Sequence, residues 1–188
     1  MIETIVDGYN LLHQSPTMQT GKGPQWLHRQ RVRLIEYLAS LLSPELCQRV
    51  TVVFDVHSPP SQWTRDCTIA QIRLRFAHGY PEADDLVEEM IDLHRNPSGL
   101  CVVSSDGRLQ KAARRRHAKW IESRRWLDEL LEQAHHNPQS GHSQLPSEAA
   151  KDQLLSPEEV QAWLNQLYPQ ERHLAEQDMR RNQRRGHR

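Results

Sequence analysis

The chain has 188 residues, with 24 Lys and Arg balancing 24 Asp and Glu. That length suits one domain with an appendage, and zero net charge excludes whole-molecule steering toward a polyanion, so any nucleic-acid footprint must be local. No apolar stretch approaches membrane-spanning length, and the N-terminus has no basic segment followed by an apolar run, so a soluble cytoplasmic protein without membrane contact is expected.

The first strand is expected over residues 2–6 (IETIV), and it stops on Asp7 before the turn residue Gly8. Residues 13–25 carry turn and loop residues. From Trp26 to Leu42 apolar residues recur at helical spacing, with Arg29, Arg31, Arg33 and Glu36 between them. Ser43-Pro44 ends that helix. Val50–Phe54 is a near-continuous β-branched and aromatic run, the pattern of a strand covered on both faces in a parallel sheet. It ends on Asp55, and a Pro-containing loop from His57 to Asp66 follows. Ile72, Leu74 and Phe76 alternate with Arg73 and Arg75, which reads as a strand nearer an edge.

A Gly-Tyr-Pro turn then opens a helix on EADDLVEEMIDL, closed by Asn96-Pro97-Ser98-Gly99. Leu100–Val103 is another buried strand, followed by Ser104, Ser105 and Asp106. Cys101 lies in that run and reads as a core residue. With Cys47 and Cys67 it makes an odd, widely spaced set without a CxxC pair, so neither a disulfide framework nor a zinc site is expected. RLQKAARRRH is a short basic helix, residues 118–121 a last strand, and Ser123 a cap for a helix from Arg124 to Ala134. Residues 135–155 are polar and rich in Pro, Gly and Ser, the composition of a linker. Ser156-Pro157-Glu158-Glu159 starts a C-terminal helix, and an Arg-rich tail runs to Arg188, giving domains at 1–134, 135–155 and 156–188.

Strands alternating with helices predict an α/β fold with a mainly parallel sheet. Right-handed crossovers point the strands one way and place Asp7, Asp55 and Asp106 on the carboxyl edge, where such folds keep their sites. The helix start adds Glu82, Asp84, Asp85, Glu88 and Glu89 without a base among them. Acids favour a helix N-terminus, so this run alone is unremarkable; together with the strand-end aspartates it is more specific. Asp84 and Glu88 share a helix face and repel, so something must compensate. Converging carboxylates cannot all stay ionised without a cation, and a hard divalent ion such as Mg²⁺ or Mn²⁺ is the natural partner. Such a site suits phosphoryl transfer to water. Asn10 is placed to orient a water or a phosphate. Residues 107–126 hold Arg108, Lys111, Arg114, Arg115, Arg116, Lys119, Arg124 and Arg125 against Glu122 alone, the footprint of a polyphosphate-binding surface. No GxxxxGK[ST] is present, which excludes a P-loop enzyme. VFDVHS has the strand of an aspartyl phosphatase, but His57 stands where the second Asp is needed.

The order IVDGYNLL, VVFD, EADDLVEEMI, VVSSDGRLQKAAR and WLDELL resembles the NYN domain, and within it the YacP-like branch of PIN-fold endoribonucleases, over residues 2–134. The resemblance implies a three-layer α/β/α sandwich. It also implies cleavage of single-stranded RNA by a carboxylate-bound divalent ion, with ribosome-associated messenger RNA among the substrates of relatives. It places the acidic site on Asp7, Asp84 and Asp106, with Asn10 completing DGYN. The branch often reads ADE where this chain reads ADD, which leaves Asp85 as an additional or supporting ligand; Asp55 matches the VFD strand end. The competing readings are a non-catalytic RNA-binding or ribosome-associated adaptor, and a small-molecule phosphohydrolase with no use for the basic stretch.

Overall fold

The computed structural model describes residues 2–18, 20–21, 24–55 and 66–136, the side chains of 24 and 25 excepted. The expected linker beyond His136, the C-terminal helix and the Arg-rich tail lie outside the described residues. Six strands form one sheet. They are β1 (Glu3–Asp7), β2 (Val50–Phe54), β3 (Asp66–Ile69), β4 (Ile72–Phe76), β5 (Leu100–Val103) and β6 (Lys119–Ile121), in the spatial order β3-β4-β2-β1-β5-β6. Every neighbouring pair is parallel except β3 with β4. Among the described residues no helix is long and apolar enough to cross a membrane.

The expected strands are present. β2 is buried along its whole length, as a strand covered on both faces must be. β1 lies between β2 and β5, with Val6 opposite Val52 on one side and Val103 on the other. Successive side chains alternate between faces. On one face Ile5, Val53 and Val102 pack with Leu86, Val87 and Ile91 of α4 (Ala83–Leu93) and with Leu109, Ala112 and Ala113 of α5 (Gly107–Arg115). The other layer is built from α1 (Gly8–Gln14), α2 (Pro24–Leu41) and α6 (Ser123–His136), which pack on one another. The result is the three-layer α/β/α sandwich.

β4 lies one strand in from the edge, consistent with a strand nearer an edge, and β3 pairs antiparallel outside it. The two-residue turn between them puts Ala70 at φ 47° and Gln71 at φ 66°. Both central residues at positive φ is the type I′ hairpin geometry, here without the Asn or Gly that would announce it. Three local expectations need correction. Gly8 opens α1 rather than a turn, and His13 and Gln14 belong to that helix rather than to the loop, with Asp7 as the N-cap. Ser43-Pro44 ends α2 but also opens a one-turn α3 (Pro44–Cys47), Ser43 accepting from the main-chain N–H of Leu46. Ser123 lies inside α6, fully buried, and does not act as its cap.

Candidate active site

β1 and β5 run side by side, so their ends deliver Asp7 and Ser104 to the same point on the carboxyl edge. Asp7 caps α1: its Oδ1 accepts the main-chain N–H of Asn10 at 3.1 Å. The hydroxyl of Ser104 donates to Asp7 Oδ2 at 2.9 Å and accepts the main-chain N–H of Asp106 at 3.0 Å. Asp106 in turn caps α5, accepting the N–H of Arg108 at 2.5 Å. A short polar side chain at an N-cap satisfies a helix N–H that would otherwise go unpaired. One serine thus ties the two strand-end aspartates together.

Asp84 enters from the first turn of α4. Its pKa is pushed up to about 6, first by burial and then by the negative charges of Asp7 and Asp106. Asp7 is also raised, mainly by burial and further by Asp106, while the N–H groups of Asn10 and Tyr9 and the Ser104 hydroxyl pull the other way. Three carboxylates brought together from residues 7, 84 and 106 therefore act on one another electrostatically.

The family model of the YacP-like NYN domain matches residues 4–167. The chain belongs to the YacP-like NYN family. This family is one of nucleases. A crystal structure of a mutant of Rae1 (YacP) from Bacillus subtilis is 25% identical at a TM-score of 0.55, covering 72% of this chain and 79% of that one. A second Rae1 (YacP) crystal structure from Bacillus subtilis, 21% identical at a TM-score of 0.55, covers 99% of this chain and 96% of that one and supports the shared fold. No curated protein matches the chain in sequence.

The remaining predicted residues fall in distinct places. The side-chain oxygen of Asn10 accepts three hydrogen bonds, from Gln14 Nε2 at 3.1 Å, the main-chain N–H of Ser105 at 3.1 Å and the Ser123 hydroxyl at 2.8 Å. It joins α1, the β5–α5 connection and α6, so that oxygen serves as a structural joint beside Asp7. Asp85 is taken up by its own helix end: its Oδ2 accepts the N–H of Glu82 at 3.2 Å in a capping box, and its Oδ1 pairs with Arg108. Asp55 ends β2 one strand away from β1, and it is not among the principal groups that shift Asp7 or Asp84.

Arg108 supplies the compensation that the acidic helix start demands. Its guanidinium bridges Glu82 at 3.3 Å, Glu88 at 3.1 Å and Asp85, and it holds the Asp85 carboxyl below its usual range. Arg115 pairs with Asp92 at 3.3 Å and Arg116 donates to the His94 carbonyl at 3.4 Å, so three of the expected RNA-binding bases line the contact between α5 and α4. Arg114 instead lies over the Trp120 ring, 4.6 Å from its centroid, and Lys111 is exposed. Arg124 and Arg125 pair along α6 with Asp128 and Glu129.

Arg108→Ala is expected to loosen the start of α4 and remove the cation that lowers Asp84. Cleavage should fall about tenfold or more through misplacement of Asp84, and Arg108→Lys should restore only part of it, since an ammonium lacks the planar fork that spans three carboxylates. Initial cleavage rates of the two variants on one RNA check this. The roles of Ser123 and Gln14 escaped the sequence reading because their partners lie far along the chain or in a helix not recognised.

Among the described residues no group of three or more His, Cys, Asp or Glu side chains is gathered tightly enough to form a ready metal cage. The donor chemistry still fits a hard divalent cation. Asp7, Asp84 and Asp106 offer only carboxylate oxygens with excess negative charge, and Mg²⁺ takes one or two direct carboxylates and keeps much of its water.

Proposed function

We propose that the chain is a metal-dependent endoribonuclease that hydrolyses phosphodiester bonds of single-stranded RNA, including ribosome-associated messenger RNA, in the cytoplasm. The observation that carries this reading is the gathering of Asp7 and Asp106 on the Ser104 hydroxyl, with Asp84, raised by burial and then by both of them, beside the pair, in a chain of a nuclease family. Asp7, Asp84 and Asp106 would hold one or two Mg²⁺ or Mn²⁺ ions, which supply a water activated for attack and neutralise charge on the scissile phosphate. Ser104 fixes the spacing of Asp7 and Asp106. Asn10 holds the Ser105–Asp106 connection against α1 and α6. Because water rather than the ribose 2′-hydroxyl is the nucleophile, the products carry 5′-phosphate and 3′-hydroxyl ends.

Lys111 and Arg114 are the two predicted RNA contacts that neither pair with an acid nor donate to the end of α4 among the described residues, and they are assigned to the RNA backbone. Arg108, Arg115 and Arg116 contribute positive potential while holding α4. The double variant Lys111→Ala/Arg114→Ala should weaken binding uniformly across RNA sequences. Its log–log salt slope should drop by about 1.4, roughly 0.7 for each lost single-strand phosphate contact.

The deciding experiment is cleavage of an end-labelled single-stranded RNA by the full chain with Mn²⁺, with Mg²⁺ and with EDTA. Internal cuts with either metal and none with EDTA are expected. RNA binding without cleavage in any metal would overturn the nuclease reading in favour of an adaptor.

A further inference from the structure

α2 carries a cation where a sequence pattern alone puts a solvated one. Arg31 is 7% exposed, yet its guanidinium meets no carboxylate among the described residues. Nε donates to the Tyr9 hydroxyl at 3.1 Å, and Nη2 reaches the same oxygen and the Asp55 carbonyl at 3.4 Å. The rings of Tyr9, Phe54 and Phe76 surround it, with centroids 5.3, 5.6 and 5.9 Å from Cζ. Ring faces and neutral oxygens stabilise a cation, but burying a charge without a carboxylate is unfavourable compared with an apolar side chain of the same volume. Core packing alone does not account for an arginine at this position.

What the guanidinium grips is the first turn of α1. Tyr9 is the second residue after Asp7, and its ring is held edge-on against Phe54 at 5.5 Å. The main-chain N–H groups of Tyr9 and Asn10 are those that hold the Asp7 carboxylate. We propose that Arg31 is a positioning residue of the site: by locking the Tyr9 hydroxyl it fixes the first turn of α1 and so the direction of the Asp7 carboxylate. Its consequence for cleavage rests on the nuclease reading above; its structural content does not.

The test compares the full-length wild type with Arg31→Met, Arg31→Lys and Tyr9→Phe by amide hydrogen exchange and by cleavage kinetics. Met keeps the volume and removes the charge. Lys keeps the charge and loses the fork. The exchange of the Tyr9 and Asn10 amides is expected to rise about tenfold in all three variants while the Val52 and Val53 amides of β2 stay protected, because a local opening exposes only the turn it frees. With RNA, kcat is expected to fall about tenfold at unchanged KM, and Arg31→Met/Tyr9→Phe should lose no more than either single change, since the two residues act through one contact.

Unchanged exchange at Tyr9 and Asn10, or an equal rise at all four amides, would overturn the assignment. So would a raised KM at unchanged kcat, which would mean that Arg31 serves the RNA directly. A wild type that cleaves no RNA would remove the nuclease reading and leave the exchange comparison to decide the role of Arg31.

Discussion

Asp84→Asn is expected to abolish metal-dependent cleavage and, at pH 7, to make the folded protein more stable. The loss should reach about a hundredfold or more, the scale of several kcal/mol that a metal-held water and phosphate supply. The gain follows from linkage. The Asp84 carboxyl sits at about 6 in the folded state, against an ordinary value of 3.8 in the unfolded chain. Between those values the folded state binds more protons, so stability falls as pH rises through the window and stays lower above it. A shift of this size corresponds to about 3 kcal/mol, and solvent screening of this partly exposed group reduces the effect to about 1 kcal/mol. Replacing the carboxylate by an amide removes that burden, which raises Tm by about 2–4 °C in a chain of this size. Thermal unfolding at pH 7 and at pH 4, where the difference should vanish, checks the sign. At limiting Mg²⁺ the wild-type cleavage rate should climb as pH rises through about 6; saturating metal should move that limb lower, because cation and proton compete for the same oxygens.

Gly8→Ala is expected to destabilise the protein and to cut activity even where it remains folded. Helix propensity points the other way, since alanine within α1 should gain up to about 1 kcal/mol. Sterics decide against it. A Cβ at position 8 would stand 2.5 Å from two ring carbons of Phe54 and 2.7 Å from the Val53 carbonyl oxygen. Neither can yield freely, because Phe54 is fully buried and stacked on Phe76, and the carbonyl belongs to the central strand β2. Overpacking of this kind costs about 1–3 kcal/mol. Relief by pushing α1 outward would carry Asp7 and Asn10 with it. Lower Tm together with reduced cleavage at 25 °C is the expected pair of results; an unchanged Tm would contradict the steric account.

Much of the fold was legible because buried parallel strands announce themselves. β2 and β5 are short continuous apolar runs, and each directs the chain to the same sheet edge. α4, α5 and α6 carry helical periodicity strong enough to read. The missed elements lack such markers. GYNLLHQ is too short for a period and begins with residues that favour turns, yet Asp7 capping and the burial of Leu11 and Leu12 make it helical. DCTI is too polar to stand out as a strand, and Ala70-Gln71 hides its hairpin. In the site, Asp7 and Asp106 could be read from their places at strand ends, whereas among the acids of the helix start only the resemblance to the NYN domain singles out Asp84. Arg108 illustrates what could not be read: a basic run after an acidic strand end looks like a surface for RNA, and only the packing of α5 against α4 turns its first arginine inward to the acids. The same holds for Asn10 and Ser123, which lie 113 residues apart and meet only when α6 docks beside α1.

The place of β1 in the middle of the sheet also sets when the acidic cluster can form. Both sheet neighbours of β1 come later in the chain, and the third carboxylate follows only at residue 106. Ser123, which braces Asn10, comes later still. A growing polypeptide therefore carries Asp7 without Asp84 until α4 is made, and without Asp106 until β5 has followed. The three acids and the brace on Asn10 are together only once α6 has docked beside α1.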